Sequence, residues 1–181
     1  FSNADGIHNS FTVAPYGEKV GIYSGEMSVD QLQDRIICCA KTDASTTRQE
    51  ATEYIESKGE CIKVITQREL RRRANIEDIE RLIVQEKVTM VVVDQLSLMD
   101  DITAKPGTPT RQIYGNISMD LFSLSVRHKV PIILLVQSNR QGGEQKDGPA
   151  LENIAESDAV AQNATRVISM KKEQGILTLK V

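Results

Sequence analysis

The chain has 181 residues, 40% of them hydrophobic and 26% charged, which is typical of one globular domain with a buried core. A formal net charge of −3 argues against a protein that coats nucleic acid by bulk positive charge, although a local basic loop is compatible with it. Aromatic residues make up only 4% and Trp is absent, which disfavours single-strand binding through stacking platforms.

The cysteines and the hydropathy pattern indicate where in the cell the protein is expected. Cys38, Cys39 and Cys61 have no metal-ligand spacing and leave one thiol unpaired, as is typical of reduced thiols. No apolar run reaches the roughly 20 residues of a membrane helix, and no charged-then-apolar leader opens the chain. We expect a soluble, cytoplasmic protein without a membrane partner.

The first readable element is a buried strand over residues 19–24, followed by Glu26. Ser28 and Gln31 have capping-box spacing at the start of a helix. The apolar positions of that helix recur at helical spacing: Val29, Leu32, Ile36 and Ile37. Glu26 therefore lies at a strand end, where a general base can face a ligand. The alternative is that it only favours the positive end of the helix.

The next segments continue an α/β alternation. Residues 46–58 predict a helix closed by Gly59, and residues 61–66 predict a strand. The basic run 71–73 is interpreted as a solvated helix face, with a nucleic-acid or subunit contact as the alternative. Asn75 is a candidate N-cap. The helix after it has a buried stripe of Ile76, Ile79, Leu82 and Ile83.

Residues 89–101 contain the most informative strand. Four consecutive apolar residues are typical of a strand buried on both faces of a parallel sheet, and Asp94 follows at the edge where open α/β folds bind ligands. This has the form of a Walker B motif, whose carboxylate orients magnesium beside nucleotide phosphates. Alternatively, Asp94 caps the next turn. A metal nuclease using Asp94, Asp100 and Asp101 is disfavoured, since no His or Glu lies nearby.

The second half predicts further elements in the same alternation. A loop over residues 100–110 precedes a helix over 111–128, in which His128 is interpreted as a C-terminal helix residue rather than a ligand. A strand over 130–136, buried on both faces, ends at Gln137, an amide that can hydrogen-bond a terminal phosphate. The later segments are a flexible loop over 141–149, a helix over 151–164, and an antiparallel edge hairpin of strands 166–171 and 175–181.

Four of these segments resemble motifs of the ATPase domain of DnaB-type hexameric replicative helicases, a branch of the RecA-like P-loop ATPases, over residues 20–181. Residues 20–27 are similar to the strand and "S-x-E-M-S" turn, with Gly25 where the family usually has Leu. Residues 91–99 resemble the Walker B strand. Residues 130–140 and 149–164 resemble "VP-I-x-x-x-Q-x-N-R" and "P-x-L-x-x-x-x-E-S-x-x-x-x-Q-x-A".

The resemblance implies a RecA-like P-loop NTPase core, a mostly parallel sheet with helices on both faces and an antiparallel C-terminal edge hairpin. In that family pattern Glu26 polarises the attacking water, Asp94 holds Mg²⁺ through its water shell, Gln137 senses the γ-phosphate of ATP, and Arg140 lies at the bound nucleotide. Glu26, Asp94 and Gln137 all follow predicted strands at one edge of the sheet.

The resemblance also implies single-stranded DNA, a homo-hexameric ring and a primase or loader as partners. The loops 100–110 and 141–149 are expected to face the channel of the ring. The candidate phosphate contacts in or directly beside these loops are Lys105, Arg111 and Lys146. Glu156 lies in the family's DNA-contacting Arg-Glu-Ser-Gly pattern, which here reads Ala-Glu-Ser-Asp and lacks the positive charge and the glycine.

Two motifs of the family, one expected near each end, are missing from these residues. No Gly-x-x-x-x-Gly-Lys-Ser/Thr phosphate loop is present, and the last strand stops before the family's Lys-x-Arg. Either the segment with the phosphate loop lies outside these 181 residues, or the chain descends from an ATPase and has lost that activity. We expect the former because Glu26, Asp94 and Gln137 are retained. Residues 1–181 are then one RecA-like domain without its phosphate loop and C-terminal edge.

We therefore expect the core of an ATP-dependent DNA helicase that couples hydrolysis to movement along one strand and to duplex unwinding in replication. Two alternatives remain open. One is a RecA-fold recombinase or helicase-loader-type ATPase, which hydrolyses ATP without strand separation. The other is a catalytically inactive interaction module, which binds no nucleotide.

Overall fold

A parallel sheet organises the computed structural model, which describes residues 19–40, 46–57, 61–137, 158–173 and 176–180. Its four strands are β1 (Val20–Ser24), β2 (Ile62–Thr66), β3 (Met90–Asp94) and β4 (Ile132–Leu134). They lie in the order β2-β1-β3-β4, and every neighbouring pair is parallel. This confirms the predicted parallel α/β architecture.

Six helices accompany the sheet within the described ranges. They are α1 (Val29–Ala40), α2 (Arg48–Ser57), α3 (Gln67–Leu70), α4 (Ile76–Glu86), α5 (Thr110–His128) and α6 (Asp158–Gln162). The sequence did not predict α3, a single turn that the Thr66–Glu69 capping box begins. Of the predicted helix over 151–164, the part before residue 158 lies outside the described residues. Among the residues described, no helix is both long and apolar enough to span a bilayer.

The hydrophobic core lies between one face of the sheet and helices α4 and α5. Val91 and Val93 are fully buried and alternate with Met90, Val92 and Asp94, which are partly exposed. A Cβ on Gly21 would lie 2.6 Å from Leu82 Cδ2, so glycine permits the close approach of α4 to β1. The helix residues of this core include Ile79, Leu82, Ile83, Ile117, Leu121 and Leu124.

The basic run 71–73 lies in a turn, and its interpretation as a helix face was wrong. Arg71 ends α3 in the left-handed region with φ 56°, because the chain must reverse before α4. Arg72 instead donates hydrogen bonds from its two terminal guanidinium nitrogens, Nη1 and Nη2, to the buried carboxylate of Asp78, at 2.6 and 2.9 Å. Burial opposes the charge of Asp78, but these bonds outweigh it and hold its pKa below the ordinary value.

Two predictions about strands need correction. The strand over 130–136 was expected to be buried on both faces, yet Ile133 of β4 is 44% exposed, because it projects from the face opposite to Ile132 and Leu134, which pack against the core. The C-terminal hairpin is antiparallel as predicted, with β5 (Ser169–Glu173) and β6 (Ile176–Lys180). In the described part it forms a two-stranded sheet of its own rather than an edge of the parallel sheet.

The Tyr23 hydroxyl joins three segments at the carboxyl edge of the sheet. It donates to the carbonyl oxygen of Leu98 at 2.7 Å and accepts from the amide of Ala74 at 3.3 Å. The side chain is fully buried, and this burial raises its pKa, so the hydroxyl stays protonated and remains a donor. Tyr23 thereby fixes β1 against the segments that lead into α4 and out of β3.

Tyr23→Phe leaves the partly buried carbonyl of Leu98 and the buried amide of Ala74 without their partner. We expect the free energy of unfolding to fall by about 1–3 kcal/mol, the usual cost of leaving buried polar groups without a hydrogen-bond partner. Urea denaturation measures it. Tyr114→Phe is the matched control, since Tyr114 is partly buried against the same core and none of the described residues hydrogen-bonds its hydroxyl. Equal losses in both variants would contradict the assignment.

Candidate functional site

The carboxyl ends of the parallel strands meet at one edge of the sheet. Ser24, the last residue of β1, is opposite both Thr66 of β2 and Asp94 of β3. Beyond β4, the amide of Leu135 donates to Val93 at 3.0 Å, and its carbonyl accepts from Leu96 at 3.0 Å. This edge is where open α/β sheets bind ligands.

Short polar contacts build the turn that presents Glu26. The Gly25 amide donates to the Asp94 carbonyl at 2.6 Å, and the Met27 amide donates to Ser24 Oγ at 3.1 Å. The predicted capping box then begins α1, with Gln31 Oε1 accepting from the amide of Ser28 at 3.0 Å. Glu26 is therefore held at the edge by its backbone, while its side chain is exposed.

A side-chain hydrogen bond joins the turn after β1 to the turn after β3. Gln95 Nε2 donates to Glu26 Oε1 at 2.6 Å. Gln95 is only 7% exposed, whereas Glu26 is exposed. Sequence reasoning gave Gln95 no role, although an amide directly after the strand-end acid was a readable signal. The structure thus assigns a fixed partner to the carboxylate that we expect to act as a base.

Asp94 ends β3 on the sheet face opposite the α4 and α5 core. Burial raises its pKa above the ordinary value of 3.8, and the nearby charge of Glu26 raises it further, against a smaller lowering by Arg35. Two carboxylates therefore share this edge at an electrostatic cost. Such perturbed acids concentrate at functional sites, where a cation or a proton balances their charge.

The donors at this edge fit a magnesium ion that keeps most of its water. No group of three or more His, Cys, Asp or Glu side chains that could hold a metal occurs among the described residues. Mg²⁺ in nucleotide sites commonly uses one or two carboxylates together with waters and substrate phosphates. Asp94, with Glu26 beside it, provides that kind of set and not an all-protein cage.

The remaining predicted site residues are distributed as follows. Gln137 lies two residues beyond Leu135 at the same edge, with an exposed side chain. Lys105 lies in the loop before α5, and Arg111 lies in the first turn of α5. Both of these side chains are exposed as well. Arg140, Lys146 and Glu156 lie outside the described residues, as does the predicted loop over 141–149.

The loop before α5 is held by Asp101. Its Oδ1 accepts from the amide and hydroxyl of Thr103 at 2.9 and 2.6 Å, and its Oδ2 accepts from Asn116 at 2.8 Å. Burial opposes its charge, but these bonds keep its pKa below the ordinary value. Because Thr103 and Asn116 engage both carboxylate oxygens, a nuclease that uses Asp101 with Asp94 gains no support.

A shallow pocket of about 350 Å³ lies between the start of α1 and the turn after β2, and neither Glu26 nor Asp94 lines it. Two arginines and two acids among its side chains offset one another in charge, so the pocket has no net attraction for a phosphate. Its lining residues are Ser28, Val29, Asp30, Thr66, Arg68, Glu69 and Arg71.

Known proteins share both sequence and fold with this chain. The profile of the family described as "DnaB-like helicase C terminal domain" matches residues 5–178. The replicative DNA helicase DnaB of Treponema pallidum (strain Nichols) is 32% identical over 94 residues, which cover 52% of this chain and 20% of that protein.

Two solved structures have the same fold. One is an ATPase domain, and the other is the structure of a DnaB-like replicative helicase and its interactions with primase. Each is 20% identical with a TM-score of 0.73 over 93% of this chain, and the match covers 63% and 43% of the two structures. The chain therefore spans less than two thirds of each of these three relatives.

Asp94→Asn should make the ligand-free protein more stable at neutral pH. A raised pKa means that the charged carboxylate costs folding free energy above that pKa, and the cost disappears as the pH falls towards 3.8. We expect a gain on the order of 1 kcal/mol or less, since the group is partly exposed. Urea denaturation between about pH 7 and pH 3.5, which spans this titration, measures it.

The exposed Asp34, paired with Arg48 on the surface, supplies the control variant Asp34→Asn. That substitution removes a favourable pair and should give no gain. A less stable Asp94→Asn protein at neutral pH would show that Asp94 is a structural acid.

Proposed function

The chain belongs to the family of DnaB-like helicase C terminal domains, and from this premise we propose that it is the ATP-hydrolysing core of a replicative DNA helicase. The core couples hydrolysis to translocation along single-stranded DNA and to duplex unwinding. One observation supports this most strongly: Glu26 and Asp94 come at the ends of two paired parallel strands, and the Gly25 amide donates to the Asp94 carbonyl, so both acids lie at the carboxyl edge of the sheet. We also infer that residues 1–181 form a single RecA-like domain.

The two carboxylates have separate tasks in this proposal. Glu26 is exposed and polarises the water that attacks the γ-phosphate. Asp94, at the end of β3, holds Mg²⁺ through its water shell, and the raised pKa of Asp94 fits a group whose negative charge awaits a cation. The ion, when bound, neutralises charge on the phosphates during transfer.

Gln137 and Arg140 extend the site beyond β4. The amide of Gln137 hydrogen-bonds the γ-phosphate and responds to its loss, because a neutral amide can donate to phosphate oxygens without adding charge. Its exposed side chain at the same edge supports this role. Arg140, three residues further along the chain, is proposed as a second contact with the nucleotide.

Family membership also suggests partners. We propose a homo-hexameric ring in which single-stranded DNA contacts Lys105 and Arg111, with Lys146 and Glu156 as further candidates. A primase or a loader is the proposed protein partner, and the similar helicase structure that is described with its primase interactions supports the former. Kinship with a bacterial replicative helicase and the three free cysteines support a cytoplasmic location.

Glu26→Gln in the full-length protein should lower turnover strongly and leave nucleotide binding intact. The amide cannot accept a proton, so we expect the ATPase rate to fall by about 10²–10⁴-fold, the range for loss of a general base. Steady-state ATPase assays measure the rate, and titration with a non-hydrolysable ATP analogue measures binding. Glu56→Gln, an exposed change on α2, is the control and should behave as wild type.

The outcomes separate the competing functions. Turnover by Glu26→Gln at the wild-type rate would overturn the assignment of the base. A wild-type protein that binds no nucleotide would be the inactive interaction module. DNA-stimulated ATPase activity without separation of a forked duplex would identify the recombinase or loader type.

Lys105→Ala should weaken binding of single-stranded DNA without affecting basal ATPase activity. Losing one phosphate contact lowers the slope of log affinity against log salt by about 0.7 for single strands. Fluorescence anisotropy across a salt series measures this slope. Lys63→Ala is the control, because Lys63 lies on β2 and pairs with Glu86. An unchanged slope would remove Lys105 from the DNA contacts.

A further inference from the structure

Gln95 differs from its surroundings because it is a nearly buried amide aimed at an exposed acid. Its Nε2 lies 2.6 Å from Glu26 Oε1, across 69 positions of the chain. At 7% exposure the amide has little freedom to move, whereas the exposed Glu26 side chain has three rotatable bonds. The fixed group therefore determines where the mobile one points.

The backbone on both sides of Gln95 is tied to the sheet. Gln95 has extended dihedral angles, φ −137° and ψ 170°, and its carbonyl accepts from the Leu98 amide at 3.0 Å at the start of a 3-10 turn. The next amide, that of Leu96, donates to Leu135 beyond β4. These bonds fix the backbone at Gln95 between the end of β3 and the segment that follows β4.

Gly25 brings the two turns together. A Cβ at this position would lie 2.6 Å from Leu98 Cβ, so any larger residue would push the turn after β1 away from the 3-10 turn. The Gly25 amide also donates to the carbonyl of Asp94, the residue before Gln95. The close approach allowed by glycine is thus what lets the Gln95 amide reach Glu26.

We propose that Gln95 is a positioning residue, which holds the Glu26 carboxylate by one oxygen so that the other faces the attacking water. This inference rests on the proposed ATPase function. The neutral amide donor orients the acid without adding a charge to an edge that already has Asp94. Displacing a reacting group by about 1 Å can cost roughly 100-fold in rate, so this restraint matters for kcat.

The test uses Gln95→Met and Gln95→Glu in the full-length protein, with ATPase kinetics and urea denaturation. Met keeps the length of the side chain and removes the donor. Glu keeps the shape and replaces the donor by a charge that repels both neighbouring acids. We expect kcat to fall by about 10–100-fold in Gln95→Met, and at least as far in Gln95→Glu, with KM for ATP almost unchanged.

A double variant separates positioning from support of the fold. If Gln95 acts through Glu26, adding Gln95→Met to Glu26→Gln lowers the residual rate no further, whereas independent effects would multiply. Gln85→Met, an exposed change on α4, is the matched control and should leave kcat and KM as in wild type.

Three results would overturn the proposal: a wild-type or higher kcat in either folded Gln95 variant, a change confined to KM, or losses that multiply in the double variant. Urea denaturation shows which of the two Gln95 variants is folded, and either folded variant provides the test. Failure of the proposed function is distinguishable, because it appears without any change at Gln95, as absent nucleotide binding by the wild-type protein or as retained turnover in the single variant Glu26→Gln.

Discussion

The parallel pairing of β1 with β3 is the constraint on which the site depends. With Ser24 opposite Asp94, both strands leave the sheet at the same level, and their next residues enter adjacent turns. The Gly25 amide continues the pairing with a bond to the Asp94 carbonyl. A one-residue slip would turn Asp94 towards the α4 and α5 core, because side chains alternate between faces.

The buried core and the polar edge support one another. Tyr23, three residues before Glu26 in sequence, points into the core yet uses its hydroxyl to bind Ala74 and Leu98. The same residue thus buries apolar surface and fixes the turn that holds Gln95. Packed side chains and short hydrogen bonds thus hold the backbone of this turn against the sheet, next to the two carboxylates.

Two aspartates show how environment divides structural from chemical roles. Asp78 at the start of α4 receives Arg72 and the Asn75 amide, so its pKa is lowered despite burial, and its charge stabilises the helix terminus. Burial and the charge of Glu26 both disfavour the ionised carboxylate of Asp94, so its pKa is raised. The first arrangement favours folding, whereas the second stores an unbalanced charge that a cation can relieve.

The sequence by itself determined the strands, most helices, the caps at Ser28 and Asn75, and the placement of Glu26 and Asp94 after strands, because periodicity and capping are local patterns. Only the tertiary structure decided that Gln95 holds Glu26, that Arg72 pairs with Asp78 in a turn, and that the hairpin forms its own sheet in the described part. The physical reason is distance along the chain: a hydrogen bond across 69 positions depends on strand register and on the space left by Gly25, which no local pattern encodes.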